Sequence, residues 1–153
     1  MAIFEDEAGV KAAFEAGDLN RDVIVVVRGQ GPAATGMPEL HSLTPLLTIL
    51  QDNGFAVALM TDGRMSGASG KVPSAIHMMP EAALGGPISQ LRDGDVVTID
   101  AVDGAMTTDA PLSERTPVTD YKAMHAQGFG RGLFSAYRQN VATAEQGAGL
   151  KLL

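Results

Sequence analysis

The sequence predicts a single α/β domain over residues 1–153, in which short buried strands alternate with helices and loops. Two nearly continuous apolar runs, at 22–27 and 55–60, are typical of strands that are buried on both faces. Each run follows a stretch with helical patterning, and 18 glycines indicate many tight turns. This combination favours an α/β fold over a helical bundle or a β-sandwich.

The N-terminal segment 5–16 is predicted as a helix, because acidic side chains crowd its first turn and its apolar residues share one face. Gly17 is the expected stop. After the first strand we expect a glycine-rich loop. A second helical segment then opens at Pro38, is divided at Pro45 and ends at Gly54, just before the second strand.

Downstream of the second strand the pattern is less regular. We predict further elements at 75–79 (strand), 80–84 (short helix), 96–100 and 105–108 (paired strands) and 131–144 (helix). The pair Asp103–Gly104 is the hairpin signal between the two paired strands. Residues 109–129 are polar and weakly patterned, so no element is predicted there.

The composition excludes several classes of function. The net charge of −7, from 11 basic and 18 acidic residues, argues against a broad surface for DNA or RNA. The absence of cysteine excludes disulfides, a thiol nucleophile and thiolate ligands for zinc or iron from this chain. The three histidines are far apart in sequence, so we do not expect a metal site made from this chain alone.

Two features of the sequence bear on location. No apolar run reaches the roughly 18 residues that a membrane-spanning helix needs. The N-terminus has no basic segment followed by an apolar one, as a secretory leader would have. We therefore expect a cytoplasmic protein with no membrane partner.

The most unusual stretch is the loop at 63–71, Gly-Arg-Met-Ser-Gly-Ala-Ser-Gly-Lys, which follows the second buried strand. Its small residues allow backbone N–H groups to converge on an oxyanion, and Arg64 and Lys71 flank them with positive charge. In open α/β sheets, ligands bind at the carboxyl ends of the strands. The spacing does not match a Walker phosphate loop. A glycine-rich surface loop without a ligand is the alternative.

Other candidate residues have simple structural alternatives. The turn at 29–34 fits G-x-G-x-x-A, but Pro32 is expected to delay the helix that a dinucleotide site needs, so a plain strand-to-helix turn is favoured over nucleotide binding. Ser66 could be a turn former between glycines, and His77 a packed core residue. Glu81 is favoured as an acid at a helix start over a catalytic carboxylate.

The loop at 61–73 closely resembles the dihydroxy-acid dehydratase/6-phosphogluconate dehydratase family. Its continuation Ser-Gly-Ala-Ser-Gly-Lys-Val-Pro is similar to the phosphogluconate branch, whereas the other branch typically has Phe where Met65 stands. The same family resemblance extends to segments at 25–32, 36–40, 75–77, 80–82, 85–87, 93–95 and 145–148. It covers roughly residues 20–150.

This resemblance implies that the chain is the C-terminal domain of a longer enzyme, with the fold of a swivelling β/β/α domain: a barrel-like mixed sheet flanked by helices. It also implies a missing N-terminal domain, which binds an iron–sulfur cluster of the 4Fe-4S type, and a homodimer in the full-length protein. Relatives in the other branch have a magnesium-binding glutamate where Gln30 stands. The resemblance therefore places Gln30 near a metal without assigning a magnesium site.

The family reaction implied by the resemblance is the dehydration of a 2,3-dihydroxy acid to a 2-keto-3-deoxy acid. For this branch, 6-phosphogluconate would become 2-keto-3-deoxy-6-phosphogluconate in the Entner–Doudoroff pathway. Ser66 aligns with the serine thought to act as the base. The expected substrate-binding residues are Arg64, Lys71, Gly67, Ser69 and His77. A dehydratase of another sugar acid or dihydroxy acid, and a binding module without chemistry, are the alternatives.

Overall fold

A computed structural model describes residues 1–65, 70–121 and 134–151. Its central sheet has four parallel strands that lie side by side in chain order: β1 Ala2–Phe4, β2 Val23–Val27, β3 Val57–Thr61 and β4 Ser74–Ala75. A separate antiparallel hairpin contains β5 Val97–Asp100 and β6 Ala105–Thr108. The helices are α1 Glu7–Ala16, α2 Pro32–Thr35, α3 Leu43–Asp52 and α4 Ser135–Gln139, and short 3-10 helices span Ala82–Leu84, Pro87–Gln90, Leu112–Glu114 and Ala144–Gln146.

The central strands are buried on both faces, as their apolar runs predict. Val25 and Val27 belong to a core that also contains Val10 of α1 and Leu47 of α3. Val26, which points to the opposite face, belongs to a second core. Because both faces are covered, alternating polar positions are absent from β2, and a continuous β-branched run results.

The first helix agrees with its prediction. Asp6 caps α1, since its side chain accepts a hydrogen bond from the Gly9 N–H, and Gly17 ends the helix in the left-handed conformation. The second helical segment differs. It begins at Leu43 and not at Pro38, and Pro45 lies within the first turn of α3, where a missing N–H breaks no intrahelical bond. Pro45 therefore does not divide the helix.

The predicted strand at 75–79 is reduced to Ser74–Ala75. The N–H groups of His77 and Met78 leave the ladder and bond to the carbonyls of Gly63 and Thr61. The hairpin prediction is confirmed, and β1 is an element that the sequence did not predict. Within the last predicted helix the structure has only Ser135–Gln139, and residues 131–133 lie outside the described part of the chain.

The α/β class is confirmed, but the sheet is not a closed barrel. Among the described residues β5 and β6 pair only with each other, so the parallel sheet keeps β1 and β4 as open edges. A barrel would need the hairpin to bond to one of those edges. No helix in the part of the chain that the structure describes is long and apolar enough to cross a membrane.

Candidate functional site

Three strands of the parallel sheet end at the same level. Phe4, Val27 and Thr61 are register partners across β1, β2 and β3. Within three residues of these strand ends lie five polar or charged side chains, which therefore meet at one edge of the sheet that we call the carboxyl edge: Glu5, Arg28, Gln30, Asp62 and Arg64. In open α/β sheets this edge is where ligands bind.

Asp62 is fully buried at the centre of this edge. Its Oδ1 accepts the N–H of Gln30 at 2.9 Å, and its Oδ2 accepts the N–H groups of Gly29 at 3.1 Å and Ala82 at 2.8 Å. Burial raises the pKa of the Asp62 carboxyl, while these backbone donors lower it. One carboxylate thus joins the segments that follow β2 and β3 to the turn at Ala82.

A second buried carboxylate, that of Glu81, holds the start of α2. Its two oxygens accept the N–H groups of Ala33 at 2.9 Å and Ala34 at 3.0 Å. A side chain at Gly31 would collide with this carboxylate, with the new Cβ 2.6 Å from the Glu81 Cδ. Pro32 does not delay the helix, because it is the first residue of α2. The nucleotide alternative is disfavoured, since an internal anion already occupies the N–H groups that a phosphate would need.

Arg28 and Gln30 tie this edge to β1. Arg28 is 8% exposed; its Nε donates to Glu5 Oε1 at 2.9 Å and its Nη1 donates to the Leu91 carbonyl at 3.0 Å. The Gln30 Nε2 donates to the Glu5 carbonyl at 2.5 Å.

Among the described residues, Tyr121 has no hydrogen-bond partner for its buried hydroxyl, and burial raises the pKa of that phenol. Its ring lies against Gly29.

Arg64 is exposed at the carboxyl edge, and its backbone and side chain are both anchored. Its Nε donates to the Met37 carbonyl at 2.9 Å, and its own carbonyl accepts the Leu40 N–H at 2.9 Å. Neither terminal guanidinium nitrogen bonds to another described residue. The anchored Nε leaves the rest of the guanidinium fork available for a carboxylate or phosphate.

His77 bonds to the residue that precedes this arginine. Its N–H donates to the Gly63 carbonyl at 3.0 Å, and its side chain is exposed. The core interpretation of His77 is therefore wrong. His77 and Met37 both have a φ of 56°, a left-handed conformation that is uncommon for residues other than glycine. Both residues bond to the Gly63–Arg64 segment: His77 through its N–H to the Gly63 carbonyl, and Met37 through its carbonyl to the Arg64 Nε.

Lys71 is not brought to the carboxyl edge. Its Nζ pairs with Asp52 Oδ1 at 2.6 Å, and both side chains are about half exposed. Asp52 ends α3 and β3 begins at Val57, so this ion pair lies toward the amino ends of the strands. The structure therefore joins Arg64 and His77 but separates Lys71 from them.

Three predicted site residues, Ser66, Gly67 and Ser69, lie outside the described residues. Asp62, Arg28 and Glu5 are functional candidates that the sequence analysis did not single out. Two of them had an available signal, because Arg28 and Asp62 are the charged residues that directly follow the two predicted buried strands. Glu5 had none, since β1 was not predicted.

The described residues do not fit a metal or cluster site by themselves. No three His, Cys, Asp or Glu side chains among them lie together as a metal-binding group. Gln30 is 4% exposed and its amide nitrogen is committed to the Glu5 carbonyl. The whole chain contains no cysteine to hold an iron–sulfur cluster.

Comparisons with known proteins agree with one another. Residues 1–148 match the family model described as dihydroxy-acid/6-phosphogluconate dehydratase, C-terminal. The chain is 56% identical over 150 residues to the phosphogluconate dehydratase of Zymomonas mobilis and 54% identical over 153 residues to that of Pseudomonas aeruginosa. It is 38% identical over 144 residues to the dihydroxy-acid dehydratase of Sulfurisphaera tokodaii.

These alignments cover 97%, 97% and 94% of this chain but only 24%, 25% and 25% of the respective relatives. The chain therefore spans about a quarter of the length of the curated relatives it matches.

Proposed function

Because the chain belongs to the dihydroxy-acid/6-phosphogluconate dehydratase C-terminal family, we propose that it is the C-terminal domain of a hydro-lyase that dehydrates 6-phosphogluconate. The product would be 2-keto-3-deoxy-6-phosphogluconate, as the Entner–Doudoroff pathway requires. The names of the relatives at 54–56% identity support this substrate over another sugar acid or dihydroxy acid. The observation that carries the proposal is the carboxyl edge, where an exposed arginine is anchored through its Nε and an exposed histidine bonds to the residue before it.

The substrate carries a carboxylate and a phosphate, so the site must hold two anions. The geometry favours Arg64 as one ligand, because the residue is exposed and its Nε is fixed to Met37, while its terminal guanidinium nitrogens bond to no other described residue. His77 is positioned to assist it. The phosphate role that the sequence predicts for Lys71 requires its segment to turn toward the carboxyl edge, because its ion pair with Asp52 lies toward the amino ends of the strands. That ion pair is exposed and contributes little to stability, so an anionic substrate can replace the Asp52 carboxylate.

The chemical role that we assign to this chain is removal of the proton at C2. Ser66 would accept that proton, the hydroxyl at C3 would leave as hydroxide, and the resulting enol would tautomerise to the keto acid. A free serine hydroxyl is a very weak base at neutral pH, so backbone N–H groups and nearby positive charge must stabilise its oxyanion. Gly67 and Ser69 are proposed to bind the substrate in the same loop. No residue of this chain is assigned to the departure of the C3 hydroxide.

The remaining parts of the proposal concern the rest of the protein. The iron–sulfur cluster, of the 4Fe-4S type, would be held by the N-terminal domain, since this chain has no thiolates. The C-terminal domain formed by this chain would swivel against the N-terminal domain, and the full-length protein would be a cytoplasmic homodimer. A magnesium ion near Gln30 would need ligands from the N-terminal domain.

The proposal is tested by assaying the full-length protein anaerobically, in parallel on 6-phosphogluconate, gluconate and a branched 2,3-dihydroxy acid. We expect the highest kcat/KM on 6-phosphogluconate, with release of a 2-keto acid. The isolated 153-residue chain is the control and should show no turnover, because it supplies no cluster ligands. A higher kcat/KM on another acid would change the substrate assignment to that acid. An intact cluster without turnover on any acid would favour the alternative of a binding module without chemistry.

Replacing Lys71 by alanine tests the phosphate assignment. We expect Lys71→Ala to raise the KM for 6-phosphogluconate by about tenfold, the worth of one hydrogen bond to a charged group. The KM for gluconate, which has no phosphate, should change far less. Steady-state kinetics of the full-length protein on both substrates measure this difference.

Asp52→Asn is the matched control for that variant, because it removes the same ion pair and leaves the lysine charge in place. It should leave the KM for 6-phosphogluconate unchanged or lower it. Equal increases in KM for both substrates in Lys71→Ala would contradict the phosphate role.

A further inference from the structure

Two carboxylates are buried at the carboxyl edge, and they hold different parts of it. Glu81 is 1% exposed and binds the N–H groups of Ala33 and Ala34, which belong to α2. Asp62 is fully buried and binds the N–H groups of Gly29 and Gln30, which follow β2. Both carboxylates are therefore buried and accept backbone N–H groups, but these N–H groups belong to different residues.

Asp62 also lies within the chain that leads into the serine loop. Asp62 lies between Thr61, the last residue of β3, and the Gly63–Arg64 segment. The segment after β3 and the segment after β2 are in very close contact, because a Cβ added to Gly63 would lie 2.7 Å from the Gln30 Cβ. The hydrogen bond from the Gln30 N–H to Asp62 closes this contact.

Only a carboxylate satisfies all the donors around Asp62. Three N–H groups converge on its two oxygens at 2.8–3.1 Å. An asparagine has only one oxygen, and an NH₂ group replaces the other carboxylate oxygen. That NH₂ group would face a backbone N–H, so two hydrogen-bond donors would oppose each other. A buried N–H without an acceptor is costly, and the two segments would move apart to reach water.

We propose that Asp62 is a positioning residue for the dehydration, holding the Gln30 segment and the Gly63–Arg64 segment together so that the serine loop starts from a fixed place. This inference rests on the proposed function. Asp62 itself contacts no substrate. Arg64 is held separately by Met37 and Leu40, so loss of the Asp62 carboxylate should affect the chemical step more than substrate binding.

The test uses the full-length enzyme with its cluster loaded and compares Asp62→Asn with Glu81→Gln. At a temperature where circular dichroism shows both variants folded, Asp62→Asn should lower kcat by about a hundredfold, the usual result of misplacing reacting groups by about an ångström. Its KM for 6-phosphogluconate should stay within about threefold of the wild-type value. Glu81→Gln should lower kcat by less than about threefold. Equal losses in the two variants would overturn the proposal, because general loosening would explain both.

A double-mutant cycle with Gly63→Ala adds a readout that a purely structural role would not move. Gly63→Ala keeps the Asp62 carboxylate but places a methyl group 2.7 Å from the Gln30 Cβ, so it forces apart the two segments that Asp62 joins. If Asp62 acts by holding these segments together, Asp62→Asn/Gly63→Ala should lose no more kcat than the worse single variant. Multiplicative losses would overturn the proposal. The combination Glu81→Gln/Gly63→Ala should be multiplicative, because Glu81 binds the N–H groups of Ala33 and Ala34 in α2.

Gly63→Ala is the substitute if Asp62→Asn gives no folded protein. It keeps the carboxylate but places a methyl group 2.7 Å from the Gln30 Cβ, so it forces the same two segments apart. A large loss of kcat with little change in KM supports the proposal, and an unchanged kcat overturns it.

If the wild-type enzyme prefers another acid, the substrate assignment fails, and the same variants are compared on that acid.

Discussion

We expect Ser66→Ala in the full-length enzyme to lose at least about a hundredfold in kcat on 6-phosphogluconate, the lower range for removing a general base. Alanine has no atom that can accept the C2 proton, and every other residue of the loop keeps its identity. The rate of 2-keto acid formation measures the loss. The absorption spectrum of the cluster must match the wild type, so that cluster loss does not account for the result.

Ser74→Ala is the matched control for that variant. Ser74 begins β4, and its hydroxyl donates to the Val72 carbonyl at 2.9 Å. The substitution Ser74→Ala also removes a serine hydroxyl, but at a position outside the loop 63–71 that carries the proposed base. Its kcat should stay within about threefold of the wild-type value. Full activity in Ser66→Ala would remove this serine from the chemistry and leave the family assignment in place.

Replacing Gly29 by alanine should destabilise the fold more than any other single glycine substitution that we consider. Gly29 has a φ of +72°, and a new Cβ would lie 2.7 Å from the ring carbon Cγ of the fully buried Tyr121. The left-handed backbone costs about 1–2 kcal/mol for an L-residue, and overpacking a core adds about 1–3 kcal/mol. Urea unfolding of the chain, followed by circular dichroism, should show a loss of about 3 kcal/mol or more.

Gly54→Ala separates these two costs. Gly54 also has a positive φ, +94°, but nothing lies within 4 Å of an added Cβ. It should therefore cost only the backbone strain, about 1–2 kcal/mol. Equal losses of unfolding free energy in the two variants would contradict a packing role for Tyr121 against Gly29.

The local elements of this fold could be predicted where their cause is local. The β-branched run of β2, the capped helix α1 and the hairpin at Asp103–Gly104 each depend on neighbouring residues, and the structure confirms them. The position of α3 could not be predicted in the same way. Pro45 was expected to divide this helix, yet a proline is tolerated in a first turn, and where that turn begins depends on packing.

The site shows the same division. Arg64 is predicted as a site residue from the loop sequence and His77 through the family resemblance, and the structure places both at the carboxyl edge. Lys71 was predicted with them because it is near in sequence, but its chain segment turns back toward the end of α3. The carboxylate of Glu81 was expected at a helix start close to it in sequence, and it caps a helix 47 residues away along the chain.

The sequence by itself determined the α/β class, the two central buried strands, the family and the loop that carries the proposed base, because these depend on residue patterns that are continuous along the chain. Only the tertiary structure decided which groups meet. The register of β1, β2 and β3 sets their carboxyl ends level, and this alignment brings Asp62 to Gln30 and Arg28 to Glu5. Such contacts join residues more than 20 positions apart, and no local pattern records them.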